Sequence, residues 1–346
     1  MKILTTIIAI IIGIAGQAQS VEKFSIDSGG ASESIGGIQI LYTIGEVNVQ
    51  ERSAGGISIS EGFINPALNI SINPKLFLQG PMVNTSNTGL MNDNLRVAGY
   101  IPTTSPYTDG ATCEASVFNV TGDNAIVDWV WVELRDKADN TVVILSQSAL
   151  LQRDGDVVSN DGVSSIKPNV PSDAYYIVVN HKNHLGIMTN TPVSIGASES
   201  TSVDFTDTNT TTFGTQAQAT LSSGDMALWA GDANGDGLIN FSGDVNRVST
   251  DIILFPANTS FSSSYDFVDG YFQSDVFLDG NVSFSNEINQ IQVSIILYPL
   301  NTSFSSQYNL FEEQLPSPSL LRSATQLNLD IQRLEAAMGI LNTIND

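Results

Sequence analysis

One stretch of the sequence occurs twice, and the second copy follows the first by 43 positions without a gap. The match begins where Asp232 aligns with Asp275. The same offset aligns Asp236-Gly237 with Asp279-Gly280 and Phe241-Ser242 with Phe284-Ser285. It also aligns residues 252–256 with 295–299, and residues 258–263 with 301–306. Because chance rarely produces so long an ungapped match, we interpret residues 226–310 as two copies of one supersecondary unit.

Each copy begins with an acidic loop, and the first has the spacing of a calcium-binding loop. Asp232, Asn234 and Asp236 occupy positions one, three and five. Calcium takes six to eight oxygen ligands, which converge because the chain wraps around the ion. Gly237 permits the sharp turn at position six, and Leu238 offers its backbone carbonyl at position seven. The sequence therefore predicts a Ca²⁺ site here.

The acid that closes each loop comes one position later than in the usual calcium loop. Position twelve is Gly243 in the first copy and Asn286 in the second, and the acids Asp244 and Glu287 follow them. Since both copies share this displacement, we predict that Asp244 and Glu287 are ligands in a loop one residue longer. Asn246 is the alternative closing ligand in the first loop.

The second loop keeps the acids Asp275 and Asp279, but Phe277 replaces the oxygen at position three. We therefore predict a weaker calcium site in the second loop than in the first. We also predict a short backbone bridge between the loops that pairs Ile239 with Val282. The alternative for both loops is an acidic turn that is stabilised by its own side-chain hydrogen bonds.

An amphipathic helix is predicted after each loop. The apolar stripes are Val245, Val248, Ile252 and Ile253 in the first copy and Ile288, Ile291, Ile295 and Ile296 in the second, and Pro256 and Pro299 end the helices. A duplicated calcium loop with a single following helix resembles the dockerin type I family. The resemblance covers about 226–310 and departs from the family at the closing residues. It implies a calcium-stabilised fold related to half-EF-hands, and binding of a partner through the helices.

The composition restricts the class of protein. The chain has 346 residues and a formal net charge of −23, and 42% of its residues are hydrophobic but only 14% are charged. This length suggests two or three domains. The negative charge argues against a nucleic-acid partner, because phosphates require a basic surface. The single cysteine, Cys113, excludes an internal disulfide.

The N-terminus has the pattern of a signal peptide over residues 1–18. Lys2 precedes an apolar run that is too short to span a membrane comfortably, and Gly16 and Ala18 precede the predicted cleavage site. The alternative is a membrane anchor. No later segment has the length of a membrane span, so we expect a secreted or cell-surface protein without a transmembrane segment after cleavage.

The segment between the signal peptide and the repeat is predicted to be rich in β-strands. Residues 19–72 form a first β-rich module, and 28–30, 42–45 and 61–63 within it resemble a short N-terminal module of surface proteins from the Bacteroidota. Residues 73–205 are predicted to form a β-sandwich, with strands at 125–134 and 141–145 and a central strand at 175–179. Residues 206–225 form a linker or edge. The expected fold class is mainly β with a small α calcium-binding module.

The C-terminal segment, 311–346, is predicted to contain a heptad helix at 319–342. Its apolar seam is formed by Leu320, Ala324, Leu327, Ile331, Leu334, Met338 and Leu341. The helix either packs on the calcium-binding repeat or pairs with a second chain, which would give a homo-oligomer.

No catalytic motif is found, and we predict that the protein is not an enzyme. His181 and His184 are the only histidines, and in an extended strand they would point to opposite faces and could not share a metal ion. Cys113 is interpreted as a packed residue. Trp129 and Trp131 lie on one face of a predicted strand, which is typical of a core but also permits a sugar-stacking platform.

These patterns together favour a secreted or surface calcium-binding protein that acts in binding, adhesion or scaffolding, with a link to polysaccharide use. Its partner would be a protein or a polysaccharide. The first alternative is an accessory carbohydrate-binding protein that uses the β-sandwich, and the second is a secreted hydrolase.

Overall fold

The computed structural model divides the chain into two compact units, Met1–Ala67 and Leu68–Asp346. It describes the backbone of four strands in the first unit and, with side chains, residues 70–197, 200–308, 311 and 314–317 in the second. The predicted signal peptide and the predicted heptad helix both lie outside the described residues. Among the described residues, no helix has the length and apolar character needed to cross a membrane.

The four strands of the first unit form two antiparallel pairs. Strand β1 (Gly29–Ile35) pairs with β2 (Ile38–Ile44), and β3 (Glu51–Ala54) pairs with β4 (Ile57–Ser60). All four strands fall within residues 19–72, which the sequence predicts to be β-rich.

The described part of the chain is mainly β, and a six-stranded antiparallel sheet is the centre of the second unit. Its strands are β6 (Ile126–Asp136), β7 (Val143–Gln152), β8 (Val157–Val158), β9 (Asp173–His181), β10 (His184–Met188) and β11 (Val193–Ile195). The order is β10-β9-β6-β7-β8, and β11 also pairs with β9. The three predicted strands of this region are confirmed as β6, β7 and β9. β9 is central because it pairs with β6 on one side and with β10 and β11 on the other.

A parallel pair of strands packs against this sheet. Strand β5 (Ser71–Lys75) pairs with β12 (Ser200–Asp204), and Ile72 and Val203 join the same apolar core as Trp129 of β6. Burial alternates along β5, as expected for a strand with one face on the core. A short helix, α1 (Asn94–Ala98), and single 3₁₀ turns at Gly80–Met82 and Ala115–Asn119 lie in the loops between β5 and β6.

The segment predicted as a linker, 206–225, is part of the second unit. It carries the short strand β13 (Ala219–Thr220), which pairs with β14 (Met226–Ala227). Gln218 is buried, and its side-chain amide donates to the carbonyl of Phe205 at 2.6 Å. Buried polar groups with such bonds are typical of packed structure.

Each acidic loop of the repeat is followed by a helix, as the periodicity predicts. Helix α2 (Phe241–Ile253) is capped by Asn240, whose side chain accepts from Gly243 N, and helix α3 (Phe284–Leu297) is capped by Ser283. These side chains satisfy backbone donors at the helix starts. The apolar stripes of both helices form a second core, which includes Val248, Ile252, Val276, Val282, Ile288, Ile291, Ile295 and the aromatic residues Trp229, Tyr298 and Phe311.

Candidate metal centre

The acidic side chains of the second loop converge on one point. Asp275, Asp279 and Glu287 each offer a carboxylate oxygen, and these oxygens all lie within 4.8 Å of one another. Asp275 is fully buried and Glu287 is 1% exposed, whereas Asp279 is the most exposed of the three. Three carboxylates at this separation repel one another unless protons or a cation neutralise them.

Backbone amides orient two of these carboxylates, but one oxygen has no partner. Asp275 Oδ2 accepts from Gly280 N at 2.8 Å, and Glu287 Oε2 accepts from Ser283 N at 2.7 Å. Glu287 Oε1 is buried and has no hydrogen-bond partner among the described residues. A buried acceptor without a partner costs free energy, so this oxygen has the character expected of a cation ligand.

Burial is the main cause of a raised pKa at all three acids of the second loop. It raises the pKa of Asp275 to about 7, with a further contribution from the charge of Asp279. It raises the pKa of Glu287 to about 8, and the charge of Asp275 adds to the effect. The pKa of Asp279 is also raised, first by burial. The site therefore disfavours its own negative charge, and a bound cation would remove this penalty.

The first loop wraps around Asp232 in the same manner. Asp232 Oδ1 accepts from Gly235 N at 2.8 Å and Asp236 N at 3.0 Å, and Oδ2 accepts from Gly237 N at 2.9 Å. Burial, with a further contribution from the charge of Asp236, raises the pKa of Asp232 to about 7. Gly237 has a φ of 79°, so the left-handed turn predicted at position six is present.

The acid that is predicted to close the first loop, Asp244, contacts the backbone of that loop. Asp244 is fully buried, its Oδ2 accepts from Asn240 N at 2.7 Å, and its Oδ1 accepts from Asn234 N at 3.2 Å. Burial, followed by the charge of Asp232, raises the pKa of Asp244 to about 7. Asn246, the alternative ligand, is exposed. Asp244 and Glu287 thus occupy equivalent positions in the first turns of α2 and α3.

The two loops differ in how far their acids converge. Asp236 is exposed, and its oxygens accept from Leu238 N and from the side-chain amide of Asn234, both at 2.9 Å. Among the described residues, the three acids that lie within 4.8 Å of one another are those of the second loop. In that loop Phe277 packs against the second core and supplies no oxygen, as the sequence indicates.

The backbone bridge predicted between the two loops is wrong. Ile239 N donates to Phe311 O at 2.9 Å, and Val282 N donates to Val268 O at 2.9 Å. Both side chains still lie in the same core. The two acceptors, Phe311 O and Val268 O, lie outside the aligned loop positions. The repeat alone therefore could not predict these hydrogen bonds.

The turn between β9 and β10 contacts both loops. Asn183, at the tip of this turn, is fully buried, and its side-chain amide donates to Asp275 O at 2.6 Å and to Gln273 O at 3.0 Å. The backbone carbonyl of Asn183 accepts from the backbone N–H of Gly231, the residue directly before Asp232, at 3.2 Å. The sheet therefore fixes the start of each acidic loop.

Asn183→Ala is expected to lower the melting temperature by about 5 °C, because the buried carbonyl of Asp275 and the carbonyl of Gln273 just before the loop lose a donor, at a cost of about 1–3 kcal/mol. Calcium binding to the second loop should weaken as well. Thermal unfolding and calorimetry would measure both effects. Asn190→Ala is the matched control, since Asn190 is exposed, and equal effects of the two variants would contradict the contact.

A buried polar cluster lies beneath the same turn. Asp128 of β6 is fully buried, and its oxygens lie 2.7 Å from Tyr271 Oη, 3.2 Å from His181 Nε2 and 2.9 Å from Lys182 Nζ. Burial raises the pKa of Asp128. The charge of Lys182 and, after it, the hydrogen bond and charge of His181 outweigh this effect, so the pKa lies well below its usual range. The signal of this cluster in the sequence is an aspartate, Asp128, inside an otherwise apolar strand.

The expectation that the two histidines lie on opposite faces is wrong. A two-residue turn pairs His181 directly with His184, and their Nδ1 atoms lie 3.1 Å apart. Both are buried, and burial lowers the pKa of each. His184 Nε2 accepts from Gly80 N at 3.1 Å.

The two tryptophans do not form an exposed platform. Trp129 is fully buried in the first core, where its indole nitrogen donates to Pro102 O at 2.9 Å. Trp131 is half-buried beside Tyr107. Cys113 is half-buried and packs against the first core.

Comparisons with known proteins do not assign the chain to a family. No family model matches it, and no curated protein matches it. Among solved structures, a chain of a type II cohesin–X-dockerin complex from Acetivibrio cellulolyticus, a C-terminal interface mutant, is 15% identical with a TM-score of 0.31. The match covers 65% of this chain and 94% of that chain. A likeness at this level carries no argument about fold or function.

Proposed function

We propose that this chain is a secreted or cell-surface calcium-binding protein that acts in binding or scaffolding. In this proposal residues 226–310 form a dockerin-like pair of loop–helix units, and the sheet with the β5–β12 pair forms a β-sandwich. The observation that carries the calcium proposal is the buried, unpartnered Glu287 Oε1 beside two further carboxylates. The N-terminal sequence pattern supports the location.

Two sets of residues would hold the ions. The first set is Asp232, Asn234, Asp236, the carbonyl of Leu238, and Asp244, and the second is Asp275, Asp279 and Glu287. Every one of these ligands is an oxygen, which favours a hard cation over zinc or copper. Calcium fits better than magnesium, since it tolerates irregular geometry and carbonyl ligands, whereas magnesium demands a near-ideal octahedron.

The chelator-treated full chain should bind calcium in a saturable titration, with little heat from magnesium at the same concentration. Calorimetry would measure both. A flat calcium titration of a protein that is folded by circular dichroism would contradict the calcium proposal.

A feature outside the loops supports the binding role. Phe261 and Phe304 are equivalent residues of the two copies, and they are 69% and 71% exposed. Both have a left-handed backbone, with φ of 52° and 50°, which is unusual for a bulky side chain. Buried asparagines hold the two turns in the same way, since Asn258 and Asn301 each donate to the preceding helix and to the turn.

The double variant Phe261→Ser/Phe304→Ser is expected to lose calcium-dependent partner capture while it keeps calcium binding. Immobilised full chain and an outer-membrane extract, with calcium or chelator, would test this expectation. Val163→Ser is the matched control, because Val163 is 77% exposed and lies outside the repeat. Capture that is unchanged in the double variant would contradict the role of these phenylalanines.

A further inference from the structure

The first acidic loop supplies a hydrogen-bond donor to every oxygen of its three carboxylates. Asp244 accepts backbone N–H groups with both oxygens, at 2.7 and 3.2 Å, and both oxygens of Asp232 accept backbone N–H groups as well. One oxygen of Asp236 accepts a backbone N–H, and the other accepts from the side-chain amide of Asn234, both at 2.9 Å. A cation in this loop therefore competes with N–H donors for each carboxylate oxygen.

The second loop differs at its closing acid. Glu287, the counterpart of Asp244, accepts one backbone N–H through Oε2, whereas its buried Oε1 has no hydrogen-bond partner among the described residues. The side chain of Glu287 is 1% exposed, and one of its oxygens lies within 4.8 Å of an oxygen of Asp275 and of Asp279. A buried acceptor without a partner costs free energy, which a cation would remove. The second loop therefore gains more from a cation than the first loop does.

Packing also holds the backbone of the second loop in the conformation of a calcium loop. Leu278 has a left-handed backbone with φ of 56°, and its counterpart in the first loop, Gly235, has φ of 75°. A bulky side chain rarely adopts this conformation, and burial of Leu278 in the first core offsets the cost. The preceding residue, Phe277, packs against the second core. Both cores thus hold the middle of the second loop, whereas Gly235 is exposed.

Three contacts from other elements hold the start of the second loop. The side-chain amide of Asn183 donates to Asp275 O at 2.6 Å. The hydroxyl of Ser274, a fully buried residue, donates to a carboxylate of α2 at 2.6 Å. Gly80 lies so close to the carbonyl of Val276 that a Cβ at position 80 would clash with it. A rigid site loses less conformational entropy when it binds an ion, and rigidity is one of the factors that set calcium affinity.

We propose that calcium fills the second loop first, with an affinity at least about 10-fold higher than that of the first loop. This order is the reverse of the one that the missing oxygen at Phe277 predicts from the sequence. The missing oxygen matters less than the unpartnered oxygen of Glu287 and the rigid backbone around Leu278, because calcium also accepts water as a ligand. The order rests on the proposed function, since it requires calcium binding at these loops.

Calorimetric titration of the chelator-treated full chain with calcium should resolve a tight step and a weaker step. Glu287→Gln is expected to remove the tight step and to keep the weaker one. Asp244→Asn, the matched variant of the first loop, should do the opposite. A second pair, Asp279→Asn and Asp236→Asn, changes the most exposed acid of each loop and decides the order if a buried variant does not fold by circular dichroism. Asp279→Asn should weaken the tight step at least about 10-fold, and Asp236→Asn should leave it unchanged.

Three results would overturn the proposed order: a tight step that a variant of the first loop removes, a tight step that survives Glu287→Gln, or two steps of equal affinity. Each of these results would leave calcium binding, and with it the proposed function, standing. A folded chain that binds no calcium at either loop would instead contradict the proposed function, and the order with it.

Discussion

Calcium is expected to raise the melting temperature of the chelator-treated full chain by at least about 10 °C. A ligand that binds only the folded state stabilises it by about 4 kcal/mol when its concentration is about 1,000 times Kd. In a domain of this size, each kcal/mol corresponds to about 2–4 °C. The expected effect is large because the ion would neutralise buried carboxylates at two positions, around Asp232 and around Asp275.

Differential scanning calorimetry in calcium, in magnesium and in chelator measures this effect. The magnesium curve should lie close to the chelator curve, because magnesium fits these loops poorly. A melting temperature that rises equally with both ions would indicate general screening of the −23 charge rather than a specific site.

The isosteric variants Asp244→Asn and Glu287→Gln should have effects of opposite sign with and without calcium. With calcium, each variant loses a charged ligand, so its site should weaken at least about 10-fold and the melting temperature should fall. Without calcium at pH 8, each variant should melt at least as high as wild type. The reason is that burial raises the pKa of Glu287 to about 8 and that of Asp244 to about 7, so their negative charges destabilise the empty protein.

The same cause sets the direction of the pH dependence without calcium. The folded-state pKa of Glu287 lies above its usual value of 4.5, so the folded chain holds a proton that the unfolded chain releases. Stability therefore falls as pH rises from about 4.5 to about 8, and Glu287→Gln should flatten this slope. Unfolding by denaturant across this pH range would measure it, and an unchanged slope would contradict the assignment of Glu287.

The sequence predicted those parts of the structure that depend on local patterns. The alternation and apolar runs of β6 and β9 and the 3.6-residue periodicity of α2 and α3 are properties of neighbouring residues. The equivalence of Asp244 and Glu287 in the first turns of α2 and α3 could be predicted because the repeat shows the same displacement twice.

The sequence could not predict contacts between distant segments. Asn183 lies 92 positions before Asp275, and no local pattern links the two. The pairing of His181 with His184 depends on a two-residue turn, and a one-residue change in that turn would place them on different faces. A cavity of about 470 Å³ is likewise lined by the first loop, the sheet and residues 315–317, which are distant in the sequence.

The number of calcium ions bound per chain tests the central claim most directly. The full chain and the double variant Asp244→Asn/Glu287→Gln would each be loaded with calcium and separated from unbound ions by gel filtration. Inductively coupled plasma mass spectrometry would then measure the calcium bound to each protein. We expect two calcium ions per wild-type chain and far less than one in the double variant. Wild-type protein that carries no calcium, or a double variant that carries as much as wild type, would contradict the claim that these two loops bind calcium.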